Sequence, residues 1–82
     1  MVQHSGHNGY YKSHGTKFSH GYYYKGKDHR HWKYRTWFSR YHCYCYWDAG
    51  LNCWYYWSAP TLCYYPLSYA EVSPPTVEDE DD

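Results

Sequence analysis

Residues 41–69 read Tyr-His-Cys-Tyr-Cys-Tyr-Trp (41–47), Asp-Ala-Gly-Leu-Asn (48–52), Cys-Trp-Tyr-Tyr-Trp (53–57), Ser-Ala-Pro-Thr-Leu (58–62) and Cys-Tyr-Tyr-Pro-Leu-Ser-Tyr (63–69). Aromatic runs of this length, bounded by Gly, Asn, Asp and Pro, are typical of β-strands. The stretch therefore predicts a small all-β fold, an antiparallel meander of three to four strands.

The first connection sets the predicted register of the central hairpin. A three-residue loop over residues 48–50 would use Gly50 in the left-handed conformation that a bulge turn requires. Cys45 would then face Cys53, with Cα atoms about 5.5 Å apart in a hydrogen-bonded pair. That separation suits a disulfide, so Cys45 and Cys53 are the candidates for an intrachain bridge. A loop of two or four residues would remove this argument.

The second connection contains Pro60, whose fixed φ favours a turn. A third strand is predicted over residues 63–65, and Pro66 would end it or confine it to a sheet edge. Trp37, Trp47 and Trp57 also recur every ten residues, as do three of the cysteines. This spacing fits a meander with turns of constant length, or alternatively a stack of coils with a ladder of cysteines.

The composition explains how the predicted sheet would be stabilised. Aromatic residues make up 26% of the 82 residues, with 14 Tyr and no Ile. Both faces of each predicted strand are aromatic, whereas a sheet with one wet face alternates apolar and polar residues. The second face therefore needs a cover: another copy, another protein, a carbohydrate, a nucleic acid, or the tails of the chain itself. The predicted parts are a low-complexity mobile arm (1–29), the meander (30–70) and a disordered acidic tail (71–82).

Charge is segregated along the chain although the formal net charge is +0. Every Lys and Arg lies within residues 12–40, and every acid except Asp28 lies at Asp48 or beyond. The two ends can attract one another within a chain or between copies. No secretory signal and no run of about 20 apolar residues is visible. The compartment stays open between the cytoplasm and export by an unrecognised route.

Metal binding and catalysis are both disfavoured by the spacing of the reactive side chains. The pattern Cys-x-Cys-x7-Cys-x9-Cys lacks the paired Cys-x2-Cys knuckle of a structural zinc site. Loose metal binding by the His-rich arm remains an alternative. His42 adjoins Cys43 only in sequence and points to the other face of a strand, so no nucleophile and base are paired. We expect no cofactor, no metal centre and no enzymatic activity.

The basic stretch over residues 28–40 gives a second hypothesis, binding of nucleic acid. Cationic side chains neutralise phosphates while aromatic rings stack on bases. A strand here would lie antiparallel to residues 41–47 or continue into them. The candidate residues are Arg30, Trp32, Lys33, Tyr34, Arg35, Trp37 and Arg40.

The preferred hypothesis is a non-enzymatic structural subunit that assembles with copies of itself through its aromatic sheet faces. Exposed aromatic strands pair readily with other chains. The candidate assembly residues are Tyr44, Trp47, Trp54, Tyr55, Tyr56 and Trp57, and the candidates for disulfides between chains are Cys43 and Cys63.

A compositional resemblance accompanies these motifs. The run Cys-Trp-Tyr-Tyr-Trp-Ser-Ala-Pro (53–60), with Cys-Tyr-Tyr-Pro-Leu-Ser-Tyr (63–69) and Pro-Pro (74–75) after it, resembles short Tyr/Trp/Cys-rich proteins of planctomycete-type bacteria. The resemblance covers about residues 30–75 and implies a bacterial origin. It implies no activity, and no functional residue can be transferred from it.

Overall fold

A computed structural model describes residues 9–80 and shows one antiparallel sheet of six strands in the order β1-β2-β6-β5-β4-β3. Its elements are α1 (Tyr10–His14), β1 (Thr16–Phe18), β2 (Gly21–Lys25), β3 (Arg35–Phe38), β4 (Cys43–Asp48), β5 (Cys53–Ser58), β6 (Cys63–Pro66) and a 3₁₀ helix (Leu67–Tyr69). The predicted small all-β class is confirmed, with six strands rather than three or four. No helix among the described residues is long and apolar enough to cross a membrane.

Strands β3 to β6 form the predicted meander, and one repeated turn explains its ten-residue spacing. Each turn has four residues, and its last residue is left-handed: His42 (φ 56°), Asn52 (φ 58°) and Leu62 (φ 57°). Strand and turn together therefore take ten positions. The alternative stack of coils is wrong, because these strands pair antiparallel with their neighbours in the chain.

The predicted register of the β4–β5 hairpin is wrong. Cys53 lies opposite Asp48 and not opposite Cys45. The turn is one residue longer than expected because Asp48 anchors it at both ends: its carboxylate accepts the Leu51 N–H at 3.1 Å, and its carbonyl accepts the Asn52 N–H at 2.6 Å. Asn52 takes the left-handed position that we assigned to Gly50. The Cys45–Cys53 disulfide is therefore absent, and all four cysteines are free thiols.

The N-terminal strands extend the meander on the β6 side. Residues 10–25, expected to belong to a mobile arm, form α1, β1 and β2. Tyr24 of β2 pairs with Tyr64 of β6, so β6 is an interior strand and not an edge; the alternative prediction, that Pro66 ends the strand, is confirmed. Burial drives this arrangement, because the Tyr24 side chain is fully buried. Residues 1–8 of the predicted arm and residues 81–82 of the acidic tail lie outside the described residues.

Both faces of the sheet are covered by the chain itself. One face carries a core cluster that includes Cys43, Cys45 and Tyr56, and the 3₁₀ helix packs on it. The other face carries Tyr24, Tyr55, Trp57 and Tyr64, and it is covered by residues of α1 and by Trp32. The second aromatic face, which the sequence left without a cover, is therefore internal.

A C-terminal strap, residues 73–78, completes the sheet where β4 and β5 separate. The two strands pair only over the three positions next to their turn, ending at Tyr46 and Tyr55. Beyond them the strap bonds to both strands: Thr76 N–H donates to the Trp57 carbonyl at 3.2 Å, and Glu78 N–H donates to the His42 carbonyl at 2.8 Å. The start of the predicted disordered tail is thus part of the folded structure.

Candidate functional site

A buried carboxylate network lies at the turn end of β4. Asp48 is 1% exposed, and its Oδ2 accepts a hydrogen bond from the Tyr24 hydroxyl at 2.7 Å. His31 Nε2 lies 2.9 Å from the same oxygen, and the Leu51 N–H bonds the other one at 3.1 Å. Both carboxylate oxygens are therefore satisfied inside an aromatic core, as a buried charge requires.

Aromatic rings enclose this network from the N-terminal side. Tyr10 of α1 stacks on His31 with ring centroids 3.7 Å apart, and the His31 side chain is 5% exposed. The Tyr10 hydroxyl lies 2.6 Å from His29 Nδ1, and His29 Nε2 lies 2.9 Å from the Lys25 carbonyl. The short helix α1 is thereby tied to the segment that follows β2.

The network shifts the pKa values of its two acidic groups, Asp48 and Tyr24, in opposite directions. Burial raises the pKa of Asp48, but the hydrogen bonds from His31, Tyr24 and the Leu51 backbone outweigh it, so the pKa lies below its ordinary value. Burial, together with the bond to the carboxylate, raises the pKa of Tyr24. An ionised Asp48 and a protonated Tyr24 at neutral pH suit a structural anchor, since neither group reaches solvent.

The sequence interpretation missed this network because it assigned Asp48 to the hairpin loop. One signal was present: Asp48 is the single acid between Asp28 and Glu71, and it ends an aromatic strand. Its histidine partner lies 17 positions earlier, in the stretch assigned to nucleic-acid binding.

Three of the four thiols are buried, and the fourth, Cys53, is half-buried. Cys43 and Cys45 are fully buried in one cluster on the same face of β4, and Cys63 is 5% exposed. The hydrogen bond with Cys43 and burial raise the pKa of Cys45. Burial and the nearby Asp48 carboxylate raise the pKa of Cys53 to about 11. Cys43 and Cys63, the candidates for disulfides between chains, are thus withdrawn from the surface.

The candidate assembly aromatics lie within the core of the single chain or at its margins. Tyr55, Tyr56 and Trp57 are 1%, 0% and 7% exposed. The other three, Tyr44, Trp47 and Trp54, are half-buried. The structure brings Trp47 and Trp54 together as a cross-strand pair with ring centroids 5.1 Å apart. None of the six forms part of an open aromatic face.

Most of the candidate nucleic-acid residues are exposed, in contrast to the candidate assembly residues. Five of the seven are exposed: Arg30, Lys33, Tyr34, Arg35 and Arg40. Trp37 is half-buried, and Trp32 packs into the core against Tyr46 and Tyr64 with ring centroids 5.2 and 4.6 Å away. Trp32 is therefore removed from the candidate surface.

We call the surface formed by residues 33–37 and Arg40 the basic edge, because β3 is the last strand of the sheet. Residues 33–36 are four consecutive exposed positions; Tyr34 is 57% exposed, and its ring lies edge-on to Trp54 with centroids 6.2 Å apart. The Arg35 guanidinium lies 3.8 Å from the centre of the Tyr44 ring, and Trp37 packs edge-on to the same ring at 5.1 Å. On this edge, the Arg35 guanidinium therefore lies against an aromatic ring that is itself packed on Trp37.

Metal coordination has no comparable geometry. Among residues 9–80, no three His, Cys, Asp or Glu side chains are grouped so as to hold a metal ion. The first two histidines of the predicted metal-binding arm, His4 and His7, lie outside the described part of the chain.

Comparison with known proteins adds no assignment to this geometry. No protein-family model, no curated protein and no solved structure matches this chain.

Proposed function

We propose that this protein binds single-stranded nucleic acid along the basic edge and catalyses no reaction. One observation carries the proposal: of the two residue sets selected from the sequence, the basic aromatic set lies mostly at the surface, while the assembly set is in or beside the core. A binding surface has to reach its ligand, and five of the seven residues in the first set are exposed.

The chemistry of the edge suits an unpaired polynucleotide. Lys33, Arg35 and Arg40 supply positive charge for phosphates, and binding would release condensed counterions. The exposed Tyr34 ring offers a stacking surface, which accepts any base because every base has a π-face. The Arg35 side chain, already packed on Tyr44, would lose little conformational freedom on binding.

Self-association is the second candidate, and charge complementarity favours it. The basic edge and the acidic end that begins at Glu78 carry opposite signs, so two copies can attract one another. Among the residues described, the chain covers both faces of its own sheet. The argument for assembly by stacking of open sheet faces therefore no longer applies. Copies of this chain therefore remain a candidate partner through edges and termini.

The decisive experiment is a fluorescence anisotropy titration of a labelled single-stranded oligonucleotide with the full chain over a series of salt concentrations. We expect affinity to fall steeply with salt. The double variant Lys33→Gln/Arg35→Gln should weaken binding and reduce the slope of log K against log [salt] by about 1.4, at ~0.7 per phosphate contact.

Lys17→Gln is the matched control, because Lys17 is an exposed lysine on β1, at the opposite edge of the same sheet. It should leave affinity close to that of the parent chain. Absence of binding at low salt, or equal losses in the Lys17 and Lys33/Arg35 variants, would refute a binding site on the basic edge. Circular dichroism of each variant checks that the fold is retained.

A further inference from the structure

The strap is the one part of the sheet supplied by the end of the chain, and it fills a gap between two strands. We infer that the strap exchanges between copies, so that residues 73–78 of one chain occupy the gap between β4 and β5 of another. This inference goes beyond nucleic-acid binding and does not depend on it.

The gap has bonding groups on both sides that the strap satisfies. On the β5 side, Thr76 bonds the Trp57 carbonyl through its N–H, and its hydroxyl oxygen accepts the Ala59 N–H at 2.8 Å. On the β4 side, Glu78 bonds the His42 carbonyl, and its carboxylate accepts the Tyr44 N–H at 3.3 Å. The strap therefore bridges the separated parts of β4 and β5 through hydrogen bonds, without itself forming a strand.

Two buried hydroxyls make an empty gap costly. The Tyr56 hydroxyl donates to the Ser73 carbonyl, and Ser58 Oγ lies 3.3 Å from Ser73 Oγ. Tyr56 and Ser58 are both fully buried. Both hydroxyls are bonded to the strap, so a matching segment that fills the gap recovers these two contacts.

The strap itself is weakly held compared with the strands it joins. No residue from 71 to 80 is buried, and Val72 and Val77 are 65% and 70% exposed. Residues 74–75 are Pro-Pro, which contribute no N–H donors. Segments with few buried apolar contacts open at low free energy, so the strap can leave without unfolding the sheet.

A second copy is the occupant that these contacts select. An identical strap restores each hydrogen bond and both buried hydroxyl contacts, so exchange changes the connectivity and not the interactions. The closed chain is favoured only by the effective concentration of its own tethered strap, which is of order mM for short linkers. Reciprocal exchange between two copies gives a closed dimer, and exchange passed from chain to chain gives rings or open filaments.

Crosslinking between two full-length variants tests the exchange. One variant carries Ala59→Cys and the other Thr76→Cys, residues whose backbone N–H and side-chain hydroxyl are bonded in the closed chain. Neither variant can form the 59–76 bond alone. We expect mixing at high concentration under mild oxidation to give a covalent heterodimer, with the 59–76 bond identified by peptide mapping without reduction.

Two controls make the result decisive. The single-chain double variant Ala59→Cys/Thr76→Cys should close within one chain, which verifies the position of the strap. A mixture of Ala59→Cys with Lys17→Cys reports random collision, since Lys17 is exposed on β1, far from the strap in the strand order. A 59–76 yield no higher than the 59–17 yield would overturn the exchange, and failure of the double variant to close would overturn the strap itself.

Discussion

Asp48, the last residue of β4, lies directly opposite Cys53, the first residue of β5, so a buried carboxylate and a thiol share the turn end of one strand pair. Burial and this carboxylate hold the pKa of Cys53 at about 11. Because the thiolate is the reactive form, we expect slow alkylation of Cys53 in the native protein at pH 8.

Asp48→Asn should accelerate that alkylation, because it removes the negative charge that disfavours the thiolate. Mass spectrometry of the alkylated peptides measures the rate at each cysteine. Cys45, which is fully buried, serves as the internal control and should stay unreactive while the fold persists. An unchanged Cys53 rate in a folded Asp48→Asn protein would contradict the electrostatic explanation.

The Asp48 carboxylate should make the free energy of unfolding decrease as the pH falls. The pKa of Asp48 is lower in the folded chain than its ordinary value, so its contribution is fully present above about pH 4 and is lost as the pH falls through the folded pKa. Asp48→Asn should cost about 1–3 kcal/mol at pH 7. The difference from the parent chain should shrink in strong acid.

Urea unfolding at several pH values measures that difference. Asp79→Asn is the matched control, because Asp79 is exposed and should show no comparable effect. A difference between Asp48→Asn and the parent chain that stays constant down to pH 2 would argue against an ionised Asp48 in the folded state.

Substitutions at the left-handed turn residues Leu62 and Asn52 should change the free energy of unfolding in opposite directions. Leu62 has φ 57°, which costs a leucine about 1–2 kcal/mol relative to ordinary backbone, whereas Asn tolerates it. Leu62 is also 58% exposed, so little burial is lost by changing it. Leu62→Asn should therefore raise the free energy of unfolding by about 1 kcal/mol. Asn52→Leu, in the equivalent turn, should lower it by a similar amount in denaturant titrations.

Substitution of Trp32 should mainly lower stability, whereas substitution of Tyr34 should mainly weaken oligonucleotide binding. Trp32 is half-buried and packs against the core, and Trp32→Ala should cost about 3 kcal/mol of unfolding free energy. Tyr34 is exposed, so Tyr34→Ala should change stability by no more than about 0.5 kcal/mol. It should nevertheless weaken oligonucleotide binding by about 1–3 kcal/mol per stacked base. Unchanged affinity in Tyr34→Ala would remove Tyr34 from the proposed site.

The meander was predictable because its signal is repeated. Three aromatic runs separated by turns of equal length give a ten-residue period. This period indicates both the strands and the turns, which the β-propensity of one run does not. The register was not predictable from the same signal, since two residues in the first turn, Gly50 and Asn52, both tolerate the left-handed conformation. Choosing Gly50 made the loop one residue too short and started it one residue too early, and together these errors placed Cys45 opposite Cys53 in place of Asp48.

The N-terminal strands and the buried Asp48 network were not predicted from the sequence, for a different reason. Gly, Ser, His and Lys around Tyr24 indicate a solvated arm, and the tertiary contacts that offset its ordering, such as those of Tyr24 with Tyr64 and Asp48, are not visible in its composition. The exposed basic edge was predictable because charged residues remain at the surface. The burial of Trp32 was not, because it precedes β3 and the strand period does not apply to it.

The order of the strands has a consequence for synthesis on the ribosome. β3 to β6 meet their neighbours across four-residue turns, and such local contacts form quickly. Tyr24 and Tyr64 are 40 positions apart, so β2 cannot pair until β6 has left the exit tunnel. The N-terminal hairpin is therefore made before its partner strand, and its tyrosines are available to chaperones from the time they leave the tunnel until β6 emerges.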